Sequence, residues 1–260
     1  MLKILKYSFF DLMRSRWSYV YFFFYLLLGV TLLFLNNNLS KAVITLMNVI
    51  IVLVPLIGTI FGVMYYYNSK EFTELLLAQP VKRSSIFLGQ YLGVALSLSM
   101  SLILGLGLPF IFYGIFKSNA IWDFSLLLIT GTFLTLIFTA LAFNIALSNE
   151  NKIKGFGYAI LLWLFMAVIY DGIFLMSLVA FEDYPLDKFS LIATMFNPID
   201  LSRVMVLLKL DISALLGYTG AVFQKFFGTN FGVILSSFVL SLWVIFPTLL
   251  IHRKAKRKDF

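Results

Sequence analysis

The sequence predicts an all-α polytopic membrane protein: six transmembrane helices, an N-terminal interfacial helix, and short amphipathic or re-entrant helices between spans five and six. Three observations predict it. Of 260 residues, 61% are apolar and only 12% are charged, with a mean hydropathy of +0.97; a soluble domain carries roughly twice that charged fraction. The apolar residues fall in runs close to the ~20 residues that a bilayer-crossing helix needs. The charges gather at the ends of those runs, not on one soluble face.

Six runs qualify, at Ser18–Leu35, Ala42–Tyr66, Ile86–Phe116, Trp122–Leu147, Gly155–Phe181 and Phe231–Ile251. The third exceeds the bilayer thickness and must tilt, kink or protrude, with Gly105, Gly107 and Pro109 as weak points. With both termini cytoplasmic, the inner pieces hold 14 of the 20 basic residues, and the outer pieces keep Lys41, Lys117, Lys188, Arg203, Lys209 and Lys225. The positive-inside rule therefore sets the orientation. The net charge of +8 is a topology signal and gives no case for nucleic acid. Asp11, Arg14 and Arg16 interrupt any signal-peptide core, so the N-terminus is not expected to be cleaved. There is no Cys, which excludes disulfides and thiolate metal sites.

Residues 1–17 differ in kind. Leu2, Leu5, Phe9, Leu12 and Met13 recur at helical spacing among Lys3, Lys6, Arg14 and Arg16, which predicts a helix lying in the cytoplasmic interface. Between spans two and three, residues 68–80 have their own punctuation. Asn68 can cap a helix with Glu71 three residues on, and Pro80 stops it. Serine then caps the start of span three. Phe72, Leu75, Leu76 and Gln79 share one face, suited to headgroups or to a groove on a cytoplasmic partner.

Residues 182–230 are too long for a turn and too apolar for a free linker. Asn197-Pro198 marks a turn and Asp200 a helix cap. Leu201, Val204, Met205 and Leu208 form a stripe that leaves Arg203 and Lys209 aside. Two short helices, about 200–210 and 213–227, are expected at the outer membrane surface. A seventh and eighth full span is the rival reading, opposed by the short lengths and by Asp211 and Lys225.

Asp171 is the one acid deep within a span, where charge is expensive, so it is an intramembrane polar site by default. Pairing with a Lys of the outer segment, a bond to a neighbouring Tyr or Ser, and a polar pathway are all open to it. No metal path is visible. The single histidine, His252, lies in the basic tail, and the methionines are scattered, with Met195 and Met205 alone on the outer side. Gly89 and Gly93, four apart, permit close helix approach within or between chains.

The loop Glu71-Phe72-Thr73-Glu74-Leu75-Leu76-Leu77-Ala78-Gln79-Pro80-Val81-Lys82-Arg83, with the interfacial helix and six spans, resembles the membrane subunit of an ABC-2 type transporter over nearly the whole chain. The resemblance implies that 1–260 is a single permease domain of a bacterial inner membrane. It also implies that Glu71, Phe72, Glu74 and Leu75 form the coupling helix seated in a separate ATPase subunit, and that a second permease copy pairs with the first as a homodimer. The segment Asn197-Pro198-Ile199-Asp200-Leu201-Ser202-Arg203, with the Leu-Leu-Lys-Leu-Asp-Ile-Ser-Ala-Leu-Leu-Gly-Tyr-Thr-Gly-Ala-Val-Phe run of 207–223, is similar to the membrane subunit of the ABC complex that matures nitrous-oxide reductase. That subgroup implies service to copper delivery beside a periplasmic β-helical copper-handling protein, with Asp200 and Arg203 near that partner.

No G-x-x-x-x-G-K-[ST] loop occurs, since no Gly-Lys pair exists, so the chain has no Walker-type site; ATP and Mg would be bound by the partner. The chain is therefore expected not to be an enzyme, to hold no cofactor and to move with an ATPase in trans. An exporter of lipid, drug, haem or another small molecule is the alternative. A secondary transporter would want more ionisable residues in its spans. An intramembrane enzyme would want paired catalytic groups, and neither H-E-x-x-H nor G-x-S-x-G is present.

Overall fold

The computed structural model describes residues 1–36, 38–181, 186–209 and 230–257. Among them every regular element is helical: α1 (Leu2–Met13), α2 (Arg16–Leu35), α3 (Leu39–Asn68), α4 (Lys70–Leu77), α5 (Arg83–Phe112), α6 (Ile121–Ser148), α7 (Lys152–Leu164), α8 (Tyr170–Ala180), α9 (Asp187–Phe196), α10 (Pro198–Lys209) and α11 (Asn230–Arg257). Six segments are long and apolar enough to cross a membrane, and they fall within a few residues of the six expected runs. A π-helical turn, Phe165–Ile169, joins α7 to α8 within span five.

Polar contacts gather the chain's two ends at one end of the bundle. Lys254 Nζ donates to Ser148 Oγ at 2.6 Å, Lys152 Nζ to Asn68 Oδ1 at 3.1 Å, and Gln90 Nε2 to Thr73 Oγ1 at 2.8 Å. Ile4 packs beside Gly89 at the same end. This basic end carries α1, α4, the 148–152 turn and the C-terminal helix. At the opposite end a 3-10 turn, Ile115–Lys117, follows Gly114, whose φ of 88° only glycine adopts freely.

Lipid tails are as apolar as leucine, so helices in a bilayer associate through close packing and not through water exclusion. The contacts of α5 show this. A Cβ on Gly93 would lie 2.7 Å from Ser8 Cβ and 2.8 Å from the Leu5 carbonyl oxygen, and one on Gly105 would lie 2.8 Å from Tyr25 Cβ. The Gly89/Gly93 pair is therefore the seat of α1, an intramolecular use. Gly105 seats α2, and Pro109 faces Gly29 of α2. These residues are packing points and not breaks, so α5 runs on as one helix to Phe112. One face of α1 packs along the first half of α5 while Leu2, Tyr7 and Phe10 stay exposed.

Between spans five and six the structure departs from expectation. α9 was not anticipated, and α10 begins at Pro198, two residues before the Asp200 start. The true cap is Asn197, whose Oδ1 accepts from the Ile199 N–H at 3.0 Å. The two helices meet at a bend of 117°. α10 does not lie on a surface. It packs against α3, α6 and α11, with Ile199, Leu201, Ser202, Val204, Met205 and Leu208 all buried. The residues off the expected stripe, Val206 and Leu207, are apolar too and equally buried. A helix with apolar residues around most of its circumference belongs inside a bundle. The second expected helix, 213–227, lies outside the described residues.

Candidate functional site

Two clusters carry the polar chemistry. The first is α4 at the basic end. The expected Asn68 cap is not formed: α3 continues through Asn68, and Ser69 precedes α4 without a side-chain cap bond. Asn68 instead accepts from Lys152. Span three likewise starts without a serine cap; Lys82 precedes it. α4 is held from beneath by Thr73, which is buried and receives the Gln90 amide while donating to the Ser69 carbonyl at 2.8 Å. Phe72, expected on the partner-facing side, stacks on Tyr7 of α1 at 4.5 Å between ring centroids. Glu71, Glu74, Leu75 and Ala78 share the exposed face. Leu75 is 67% exposed, and Lys70 approaches Glu74 at 3.9 Å in an exposed pair of little energetic weight. The result is a short helix fixed to α1 and α5 that presents two carboxylates and a leucine outward.

The second cluster centres on the π-turn of span five. A π-turn inserts a residue, so a backbone carbonyl loses its usual helical partner. Here the Met166 carbonyl accepts from Asn197 Nδ2 at 2.7 Å. The same nitrogen lies 2.8 Å from Asp200 Oδ2. Arg203 then bridges two helices, with its Nη1 3.0 Å from Asp171 Oδ2 and 3.4 Å from Asp200 Oδ1. Tyr170 donates to the Ala193 carbonyl at 2.6 Å, and Phe174 stacks on Phe189. The α9–α10 hairpin is thus fastened to span five by four contacts, one to the π-turn and three to α8.

Among the described residues Asp171 therefore has its partner in the segment between spans five and six, and that partner is Arg203. Asp200 and Arg203, expected on a surface open to another protein, face inward: Asp200 is buried and Arg203 is about one-quarter exposed. The physical reason is α10 itself, whose apolar girth draws its charges into the bundle, where they must pair. From the sequence alone Gln90 and Thr73 have no assigned role, and Asn197 reads only as part of a turn. The signal for Gln90 was available, since a lone amide in an otherwise apolar half of span three calls for a partner. Asn144 is similar: its Nδ2 donates to the Pro247 carbonyl at 2.7 Å, a group near a helix-interior proline. Among the described residues no three His, Cys, Asp or Glu side chains converge to hold a metal.

Fold and clusters together define a multi-pass helical membrane protein with a firmly mounted acidic helix at its basic end and a pinned, sharply bent helix pair between its last two spans. No known family model matches the chain. It is similar to two curated proteins. It is 24% identical over 226 residues, 81% of this chain and 78% of the relative, to the probable ABC transporter permease protein NosY of Stutzerimonas stutzeri. It is 23% identical over 220 residues, 78% of this chain and 80% of the relative, to the protein of the same name from Pseudomonas aeruginosa. These likenesses support a NosY-like ABC transporter permease subunit.

Proposed function

We propose that this permease subunit transmits the motion of a separate ATPase subunit, docked on α4, across the membrane, and that it serves copper-site maturation of nitrous-oxide reductase. The observation that carries the proposal is the mounting of α4. Its outward face holds Glu71, Glu74 and Leu75, while its inward face is tied to α5 through Thr73–Gln90 and to α1 through Phe72–Tyr7. A push on such a helix moves span three and α1 with it, because neither attachment is a flexible side chain on a loop. Phe72 then acts as a strut between α4 and α1, behind the docking face. ATP and Mg belong to the partner, and a second permease copy completes the assembly, with the basic end in the cytoplasm of a bacterial inner membrane.

At the other side, the pinned hairpin would receive the movement and pass it to a periplasmic β-helical partner. Arg203 and Asp200 hold the hairpin's shape in this reading, and the contact with the partner falls to neighbouring surface. The role is mechanical, with the metal held by the partners. The relatives' printed name supports the permease role; the copper role rests on the resemblance of the 197–223 segment.

The test is co-purification of the full chain with the ATPase subunit of its own operon, before and after Glu71→Lys and Glu74→Lys. Charge reversal at both positions is expected to abolish capture while the permease remains folded in the membrane. Undiminished capture would sink the docking assignment. A gene for a β-helical periplasmic protein beside that operon supports the copper role, and its absence there counts against it.

A further inference from the structure

A cavity of about 340 Å³ opens at the basic end where α1, the end of α3 and α4 meet. Its lining is unusual for this chain. Tyr7 and Phe72 stack there, Trp17 and Tyr65 add two more rings, and Asp11 supplies a carboxylate. Asp11 is the only acid in the first 70 residues, on a stretch that otherwise carries Lys3, Lys6, Arg14 and Arg16. It forms no ion pair among the described residues. The Tyr65 hydroxyl is buried next to Ser8 and Asp11 without a hydrogen bond of good geometry to either. An acid kept on a basic helix, beside a buried hydroxyl and among aromatic faces, offers chemistry suited to a cation. Ring quadrupoles and the carboxylate both attract an ammonium, and the same faces disfavour an anion.

We propose that this cavity binds the amine headgroup of an ethanolamine-type phospholipid. The surroundings select a lipid over a soluble amine. Tyr7 and Trp17 are 49% and 61% exposed, the amphipathic rings expected at a membrane boundary. Arg14 and Arg16, exposed and without an ion pair among the described residues, lie within five positions of Asp11 and suit the lipid phosphate. From Arg16 onward α2 exposes Val20, Phe23, Phe24 and Leu27, an apolar track for acyl chains. A zwitterion with an amine at its tip, a phosphate behind it and tails beyond matches this order of groups. The inference rests on the chain being a membrane protein and is independent of the ATPase and copper readings.

The test is native mass spectrometry of the full chain released from nanodiscs of equal phosphatidylethanolamine and phosphatidylglycerol. The wild type is expected to retain phosphatidylethanolamine in preference. Asp11→Asn should lower that retention about tenfold, roughly the effect of losing one charged partner, with an unchanged thermal melt. Trp17→Leu, at a largely exposed position, should lower it several-fold. Soluble phosphoethanolamine, which lacks tails, should not displace the lipid. Equal retention by Asp11→Asn and wild type, or equal retention of phosphatidylglycerol, overturns the proposal. So does an Asp11→Asn protein that keeps the lipid but loses the ATPase subunit, which would give the cavity to a basic side chain of that partner.

Discussion

α4 and α10 are both short helices carrying two or more charged residues, yet they direct those charges in opposite senses. α4 buries one residue, Thr73, and leaves Glu71 and Glu74 outside. α10 buries nearly its whole circumference and pulls Asp200 and Arg203 inward with it. The difference is set by what surrounds the charges. On α4 the outward side carries Glu71 and Glu74 with Leu75 as its one large apolar residue, so the helix sits on the bundle's rim. On α10 Val206 and Leu207 fill the side that an amphipathic helix would give to water, so the charges follow the helix inside and must neutralise one another. A charge on a rim helix is available to a partner, whereas a charge on a buried helix holds the chain's own shape.

The comparison can be broken most severely at Arg203. Arg203→Ala leaves Asp171 and Asp200 facing each other without their cation. Because Asp171 and Arg203 are partly exposed, the loss should fall toward the low end of the ~3–5 kcal/mol typical of a broken buried pair. Thermal unfolding in detergent measures it, and the double variant Arg203→Gln with Asp171→Asn should recover much of the loss. If Arg203→Ala melts like the wild type, the hairpin is not held by charge pairing.

The next effect is at the α1–α5 seam. Gly93→Ala places a methyl against the backbone of Leu5 and Phe9, which α1 can relieve only by moving. Overpacking of this kind costs about 1–3 kcal/mol. Limited proteolysis should release α1 sooner in this variant, whereas Gly107→Ala, with open space around it, should behave as wild type.

Gln90→Leu sharpens the rim half of the comparison. It removes the Gln90 amide's bond to Thr73 Oγ1 at 2.8 Å and a long one to Ser69 Oγ at 3.5 Å, about 1 kcal/mol together, and Thr73 keeps its bond to the Ser69 carbonyl. Stability should barely change, but ATPase turnover in the assembled complex should lose its dependence on the permease if α4 transmits force. The smallest stability effect is expected for Glu71→Lys with Glu74→Lys. Both are rim residues, so the melt should stay within about 0.5 kcal/mol even as partner capture disappears. A large fall in the melting temperature for that pair would mean α4 is structural and erase the contrast.

Most of the fold was legible in the sequence because bilayer spans follow from run length and charge placement, which need no tertiary knowledge. The exposed face of α4 was legible for Glu71, Glu74 and Leu75, which sit at helical spacing. Phe72 was misplaced because periodicity gives a face but not the neighbour, and Tyr7 lies 65 positions away. Asp171 was recognisable as anomalous, but its partner was not, since nothing local separates Arg203 from the lysines of the same segment. The depth of α10 depended on reading the non-stripe residues as strictly as the stripe. The π-turn had no sequence signature that periodicity could detect.

That π-turn fixes the angular phase between the halves of span five. Each residue of an α-helix advances about 100° around the axis, so one inserted residue turns everything beyond it by that amount. α7 aims its contacts at α3 and α6, with Trp163 donating to the Val52 carbonyl, while α8 aims Tyr170 and Asp171 at the hairpin. One continuous α-helix in a single phase would serve only one of these neighbours. Removing a residue from Phe165–Ile169 would therefore act like turning a key in its lock: α7 would stay seated, and Asp171 would swing out of line with Arg203.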